Sequence, residues 1–325
     1  MESAESTSRN TAPLQLKILL GLIICNLIWS AHPLMGKWLL EDFAPVDVAW
    51  LRYTSALVAF WILRPFLSKR VVHRPSNQMI KSWQDIALVI FVGSMSFCFS
   101  PLLQLTGLHA SRATDNALII AIEPLITVGC AWLFLRQAIS RGTSFSFILA
   151  LIGFFFLAGL SLHGLIDVTQ GGREHFIGNV IMLVSLIGEA FYSVVGTTLL
   201  ARGYSPIAIY ARANLAGVIG LTVAVAIMGH NPIHILEGLA HLHWKSAVGL
   251  LWLGPLGTTV TYLYWMGALR GATVASLALT LFIQPIFGSI WGYVFLDERL
   301  TALQASGGVL IIVAVFAQSV GLLKK

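Results

Sequence analysis

Long apolar runs separated by short polar stretches mark this chain from end to end. Ten can be bounded, at about 17–39, 46–66, 84–106, 112–136, 143–163, 177–201, 206–229, 245–268, 273–296 and 301–323. A helix crosses a bilayer with about 20 mostly apolar residues at 1.5 Å rise each, so each run is read as a transmembrane helix. They fall five and five around a polar segment, 164–175, that holds Asp167, Gly171, Gly172, Arg173 and Glu174. An odd number of spans per half turns the two halves over relative to one another. The expected fold is an all-α polytopic membrane protein of ten transmembrane helices, built as two inverted five-helix repeats. Its expected parts are a tail (1–16), a first repeat (17–163), an outer linker (164–175) and a second repeat (176–323).

The chain carries marks of duplication. Gly107 corresponds to Gly267, Glu123-Pro124 to Gln284-Pro285, and Leu133-Phe134-Leu135 to Val294-Phe295-Leu296. Each half also has an arginine about two turns into its second span, Arg52 after Pro45 and Arg212 after Pro206. Such arginines snorkel to the interface or hold ion pairs, so they are read as structural or gating residues together with Lys37, Pro124 and Pro285.

Polar residues inside the runs form stripes at helical spacing. Span 1 offers Asn26, Ser30, Pro33 and Lys37 with Trp29 beside them, and span 3 offers Ser96, Ser100 and Gln104. Span 4 offers Asn116, Glu123 and Thr127, with Asp115 at its start, and span 6 offers Ser185, Glu189, Tyr192 and Ser193. Span 8 offers Thr258, Thr261, Tyr262 and Trp265, and span 9 offers Ser276, Thr280 and Gln284. Spans 5 and 10 are almost bare. Polar faces do not look at lipid without cost, so spans 1, 3, 4, 6, 8 and 9 are expected to converge while 5 and 10 pack outside. A lone Ser or Thr is as well explained as glue between helices. Glu123 and Glu189 are different, because a carboxylate at mid-depth is by default a functional group facing a cavity.

Composition and charge narrow the class. The 325 residues are 57% hydrophobic and 10% charged, with a mean hydropathy of +0.82, far from the roughly one-quarter charged of soluble domains. The net charge of +6 comes mostly from Lys and Arg in short loops, where they set orientation; no nucleic-acid partner is expected. Counting those loops places both termini in the cytoplasm. Cys25, Cys98 and Cys130 lie inside apolar runs without metal-type spacing, and His230, His234, His241 and His243 lie in an outer segment without a completing ligand set. No metal and no cofactor are expected, and no P-loop pattern supports coupling to ATP.

The arginines in LRY (Arg52) and ARA (Arg212), the prolines in EPL (Pro124) and QPI (Pro285), the short link between spans 3 and 4, and DERLT at 297–301 together resemble the EamA-like branch of the drug/metabolite transporter superfamily. The resemblance covers about 17–323; Arg136-Gln137 departs from it where the second half has Asp297-Glu298-Arg299. It implies a carrier that alternates access to a central cavity, often exporting amino acids, other metabolites or toxic amines.

The expected function is secondary transport of a small metabolite: an amino acid, its derivative or an organic amine, by export. The expected cargo-binding residues are Glu123, Asn116, Glu189, Tyr192, Trp29, Ser30, Ser100, Gln104, Tyr262, Trp265, Ser276, Thr280 and Gln284. The glutamates would supply negative charge and the aromatic rings π faces for a cation. Desolvation would keep a proton on Glu123 in the empty carrier until an ammonium group displaces it. The expected setting is a bacterial inner membrane, with a homodimer left open. The alternatives are an anion or nucleotide-sugar exchanger working through Arg52 and Arg212, a membrane-embedded enzyme, and a static receptor.

Overall fold

The computed structural model describes residues 16–70, 82–111, 116, 119–120, 122–157, 168–296 and 302–319, and every regular element among them is helical. Several sequence readings lie outside the described residues: the tail 1–15, the charges in 71–81, Arg112 and Asp115, the linker up to Asp167, the DERLT motif at 297–301, and 320–325.

Prolines decide where the helices break. The first run forms two helices, α1 (Leu16–Ser30) and α2 (His32–Leu40), because Pro33 lacks an N–H and its ring crowds the carbonyl of Trp29. Next come α3 (Pro45–Arg70) and α4 (Trp83–Ser94), which runs through a π-helical stretch, Met95–Phe99, into α5 (Ser100–Ala110) with Pro101 in its first turn. The fourth run yields α6 (Glu123–Leu135), opening on Glu123 with Pro124 in the first turn, and α7 (Arg141–Leu157) follows. Then come α8 (Val168–Ala201), α9 (Pro206–Ile227) and the short α10 (Pro232–Gly238). The eighth run mirrors the third: α11 (Trp244–Leu251), a π stretch Trp252–Val260 around Pro255, and α12 (Thr261–Ala268). The ninth mirrors the fourth, as α13 (Val274–Ala278), a 3₁₀ turn Leu279–Phe282 and α14 (Ile283–Leu296) with Pro285. Last is α15 (Ala302–Ser319).

Among the described residues, five stretches are long and apolar enough to cross a membrane: Leu16–Leu40, Pro45–Phe66, Trp83–Ala110, Phe176–Ala201 and Pro206–Ile227. Glu123–Leu135, Arg141–Phe156, Val274–Gly288 and Ala305–Ala317 are apolar but shorter. Part of the polar segment 164–175, expected as an outer linker, is helical. From Val168 onward it belongs to α8, since two glycines cost only about 1 kcal/mol each in a helix already propagating.

Packing follows an exchange pattern between the two halves. The α3 helix lies on the π stretch Trp252–Val260, and α9 lies on α4 and the π stretch Met95–Phe99; α8 packs on α6, and α1 on α14; α7 and α15 pair with each other. Apolar burial drives little of this in lipid, where close packing and hydrogen bonds carry association. At Gly107 a Cβ would stand 2.7 Å from the Gly178 carbonyl oxygen, so α5 and α8 touch backbone to backbone. The counterpart Gly267 has nothing within 4 Å. Hydrogen bonds stitch the halves together: Ser96 Oγ donates to the Gly188 carbonyl (2.6 Å), and Thr259 Oγ1 to the Ala56 carbonyl (2.7 Å).

Candidate functional site

The breaks described above surround a cavity that opens to solvent. Its wall takes Trp29, His32 and Pro33 from the α1–α2 break, Arg52 from α3, and Gln104 from α5. Asn116 and Glu123 come from the fourth run, Glu189, Tyr192 and Ser193 from α8, Tyr262 and Trp265 from α12, and Gln284 from α14. Among the described residues, α7 and α15 contribute nothing to it.

The two glutamates sit differently. Glu189 is held by three donors, Ser100 Oγ at 3.0 Å, Gln104 Nε2 at 3.3 Å and Tyr262 Oη at 2.8 Å. Glu123, first residue of α6, makes no hydrogen bond or ion pair among the described residues, although it lines the cavity. Aromatic rings close in around them. Trp29 lies 5.5 Å from Tyr262 and 5.4 Å from Trp265, and Tyr192 lies 5.1 Å from Tyr262, centroid to centroid. Hydrogen bonds from Tyr192 Oη to the Tyr262 carbonyl (3.1 Å), Trp265 Nε1 to Ser193 Oγ (2.8 Å) and Trp29 Nε1 to the Gly257 carbonyl (3.0 Å) fix the rings.

Of the sequence-derived candidates, Glu123, Asn116, Glu189, Tyr192, Trp29, Gln104, Tyr262, Trp265 and Gln284 meet at this cavity. Ser100 stands behind the wall as a donor to Glu189. Ser30, Ser276 and Thr280 lie off it. Ser30 Oγ donates to the Leu27 carbonyl and accepts from Trp291 Nε1; Ser276 is bound in the α13 cap with Thr273; Thr280 accepts from Asn26 Nδ2 at 3.2 Å. Asn26 also accepts from Gln284 Nε2 (3.1 Å), so it ties α1 to the ninth run. Lys37 is off the wall too, and Arg212 turns to the Ala208 carbonyl (3.3 Å) in its own helix. Asn116 donates to Ser111 Oγ.

Two basic residues at the wall, Arg52 and His32, stand outside the cargo-binding set expected from the sequence, where Arg52 is expected as structural or gating and, in the alternative, as part of an anion exchanger. Arg52 is only 4% exposed, with Nε donating to Thr258 Oγ1 at 3.0 Å and its guanidinium carbon 5.1 Å from the Tyr53 ring centroid. His32 opens α2 beside Pro33. At the far end of α8, Asp85 takes hydrogen bonds from Arg202 and from Tyr204 Oη (2.6 Å). That bond holds the Tyr204 phenol above its ordinary pKa.

Apolar helices around a buried, charged, aromatic-walled cavity define an integral membrane protein whose chemistry faces inward. The chain belongs to the EamA-like transporter family, whose model matches twice, at residues 16–159 and 176–319. It is 28% identical over 299 residues to the chloroplastic WAT1-related protein of Arabidopsis thaliana, covering 89% of this chain and 66% of that protein; the chain thus spans about two thirds of that relative's length. An uncharacterized transporter of Archaeoglobus fulgidus is 25% identical over 307 residues, 91% of this chain and 94% of the relative. A protein of Streptantibioticus cattleyicolor named a probable terminal-alkyne amino-acid exporter is 24% identical over 301 residues, 92% of each. Among the solved structures that match is a crystal structure with a TM-score of 0.67 at 16% identity, over 94% of this chain and 99% of that one, a likeness of fold. The family and the latter two named relatives are transporters, not enzymes. A small-molecule cargo and lipid surroundings follow from that membership.

Proposed function

We propose that this chain is a secondary carrier that exports an amino acid, an amino-acid derivative or an organic amine from a bacterial cell across the inner membrane by alternating access. The observation that carries the proposal is Glu123. It is a carboxyl group in a cavity wall, without a hydrogen-bonding partner among the described residues, in company with Trp29, Tyr262 and Trp265. A group left unsatisfied in a low-dielectric interior is costly, and a cargo ammonium satisfies it while the rings add cation–π attraction of about 0.5–2 kcal/mol. Proton-for-cargo exchange at Glu123 then needs no further group. The amino-acid exporter name of one relative favours the same cargo class.

Ten crossings in two inverted halves, 17–163 and 176–323, suit the exchange pattern of helix pairs and the two family matches. Broken helices at corresponding places in both halves support a cargo site at the repeat interface. With both termini cytoplasmic, the wall residues Gln104, Leu108, Asn116, Met182 and Leu253 fall in the outer halves of their spans. The cavity then faces outward, closed below by the Tyr192–Tyr262–Trp265 group and by Asp85 with Arg202 and Tyr204. The Arg52/Arg212 exchanger is disfavoured because Arg212 is off the wall.

The test is uptake and efflux by purified protein in liposomes, against a panel of amines, amino acids and phosphorylated sugars. Movement of amines or amino acids that Glu123→Gln abolishes is the expected result. Movement of phosphorylated sugars alone would refute it.

A further inference from the structure

His32 and Arg52 share the cavity wall with the carboxylates, and both carry unused hydrogen-bonding capacity. A guanidinium has five N–H donors; that of Arg52 gives Nε to Thr258, while its other donors have no acceptor among the described residues. A cation 4% exposed with open donors beside a cavity is an anion receptor rather than a finished ion pair. His32 Nε2 is shut from solvent and has no partner among the described residues either. The imidazole reaches its place over Gly257, where a Cβ would come within 2.2 Å of Nε2, and Trp29 clamps the carbonyl of that same glycine. The helix break at Ala31 and the missing side chain at 257 therefore hold the ring at the wall.

We propose that His32 and Arg52 form an acid-recognising subsite for the cargo carboxylate, with Arg52 supplying charge and His32 one N–H donor. This rests on the carrier reading above and deepens it, because a cargo held at both poles carries an acid as well as an ammonium group. A dianionic phosphate suits the cavity less, since it would place two negative charges beside Glu123 and Glu189 with one cation to meet them.

The experiment uses three probes of nearly one shape, L-phenylalanine, L-phenylalaninamide and phenethylamine, with uptake into proteoliposomes read as the ratio of acid to amide and of acid to amine. The wild type is expected to favour the acid by about tenfold or more, the worth of one hydrogen bond to a charged group. His32→Ala is expected to shrink both ratios about tenfold, Gly257→Ala to shrink them by displacing the ring, and His32→Gln to keep most of the preference by offering an N–H near the same point. Equal uptake of the three probes by the wild type, or ratios unchanged in His32→Ala, overturns the subsite. If the amine is then still carried in a Glu123-dependent way, the carrier reading stands without it. Uptake of none of the probes overturns both.

Discussion

Glu123 and Glu189 line one cavity, yet neutralising them should differ sharply in its cost to stability. Glu189→Gln replaces one acceptor oxygen by an NH₂ group, so Ser100, Gln104 and Tyr262 can no longer all donate to it. Losing a hydrogen bond to a charged group costs about 1.5–3 kcal/mol, and a donor left buried about 1–3 kcal/mol. Arg52, buried nearby without an ion-pair partner among the described residues, also loses a neighbouring negative charge, which raises the cost. These effects overlap rather than add, giving about 3–5 kcal/mol in all. Glu123→Gln removes no hydrogen bond among the described residues, and its expected effect is under about 1 kcal/mol. At roughly 2–4 °C per kcal/mol, Glu189→Gln should lower the apparent melting temperature by about 6 °C or more, and Glu123→Gln by less than about 4 °C. Tryptophan fluorescence melting in lipid nanodiscs at one scan rate compares them as a rank, which irreversible unfolding does not spoil. A drop for Glu123→Gln equal to or larger than that for Glu189→Gln would make Glu123 a structural group and refute the reasoning.

Other substitutions separate packing from transport. Gly107→Leu forces α5 from α8, where a Cβ alone would meet the Gly178 carbonyl oxygen at 2.7 Å, and should cost about 1–3 kcal/mol or more in melting assays. Gly267→Leu, with nothing within 4 Å, should stay within about 0.5 kcal/mol. Asp85→Asn frees Arg202 from its ion pair, so a cysteine at Ser193, in a background without Cys25, Cys98 and Cys130, should react faster with thiol reagent supplied from the cytoplasmic side; an unchanged rate would remove the clasp from the closure. Cysteine at Gln104 should react readily with water-soluble reagents, and cysteine at Val309, 58% exposed on α15 away from the cavity, should react slowly.

The hydrophobic pattern made the helical segments legible, and the paired Glu-Pro and Gln-Pro marked where two of them break, because a proline removes its hydrogen bond wherever it falls. The stripe in span 1 was only half legible. It assumed one unbroken helix, and the break at Ala31 resets the phase: Trp29, His32 and Pro33 face the cavity while Ser30 turns to Leu27 and Trp291. Arg52 looked like Arg212 in sequence. What separates them is tertiary, since Arg52 meets Thr258 on the π stretch of another span and Arg212 meets its own backbone. The start of α8 at Val168 was hidden by Gly171, Gly172 and two charges, which read locally as a loop. For His32 the signal present was its place beside Pro33, but only Gly257, distant in sequence, gives the ring its room.

Binding of cargo at Glu123 with expulsion of its proton is tested most directly by counting protons. Purified protein in weakly buffered detergent solution near neutral pH is titrated with L-phenylalanine while a pH indicator is followed. The wild type should release protons in step with binding, and Glu123→Gln should neither bind nor release. Tight binding without proton release in the wild type, or undiminished release and pH-sensitive transport by Glu123→Gln, would contradict a cargo site built on this glutamate.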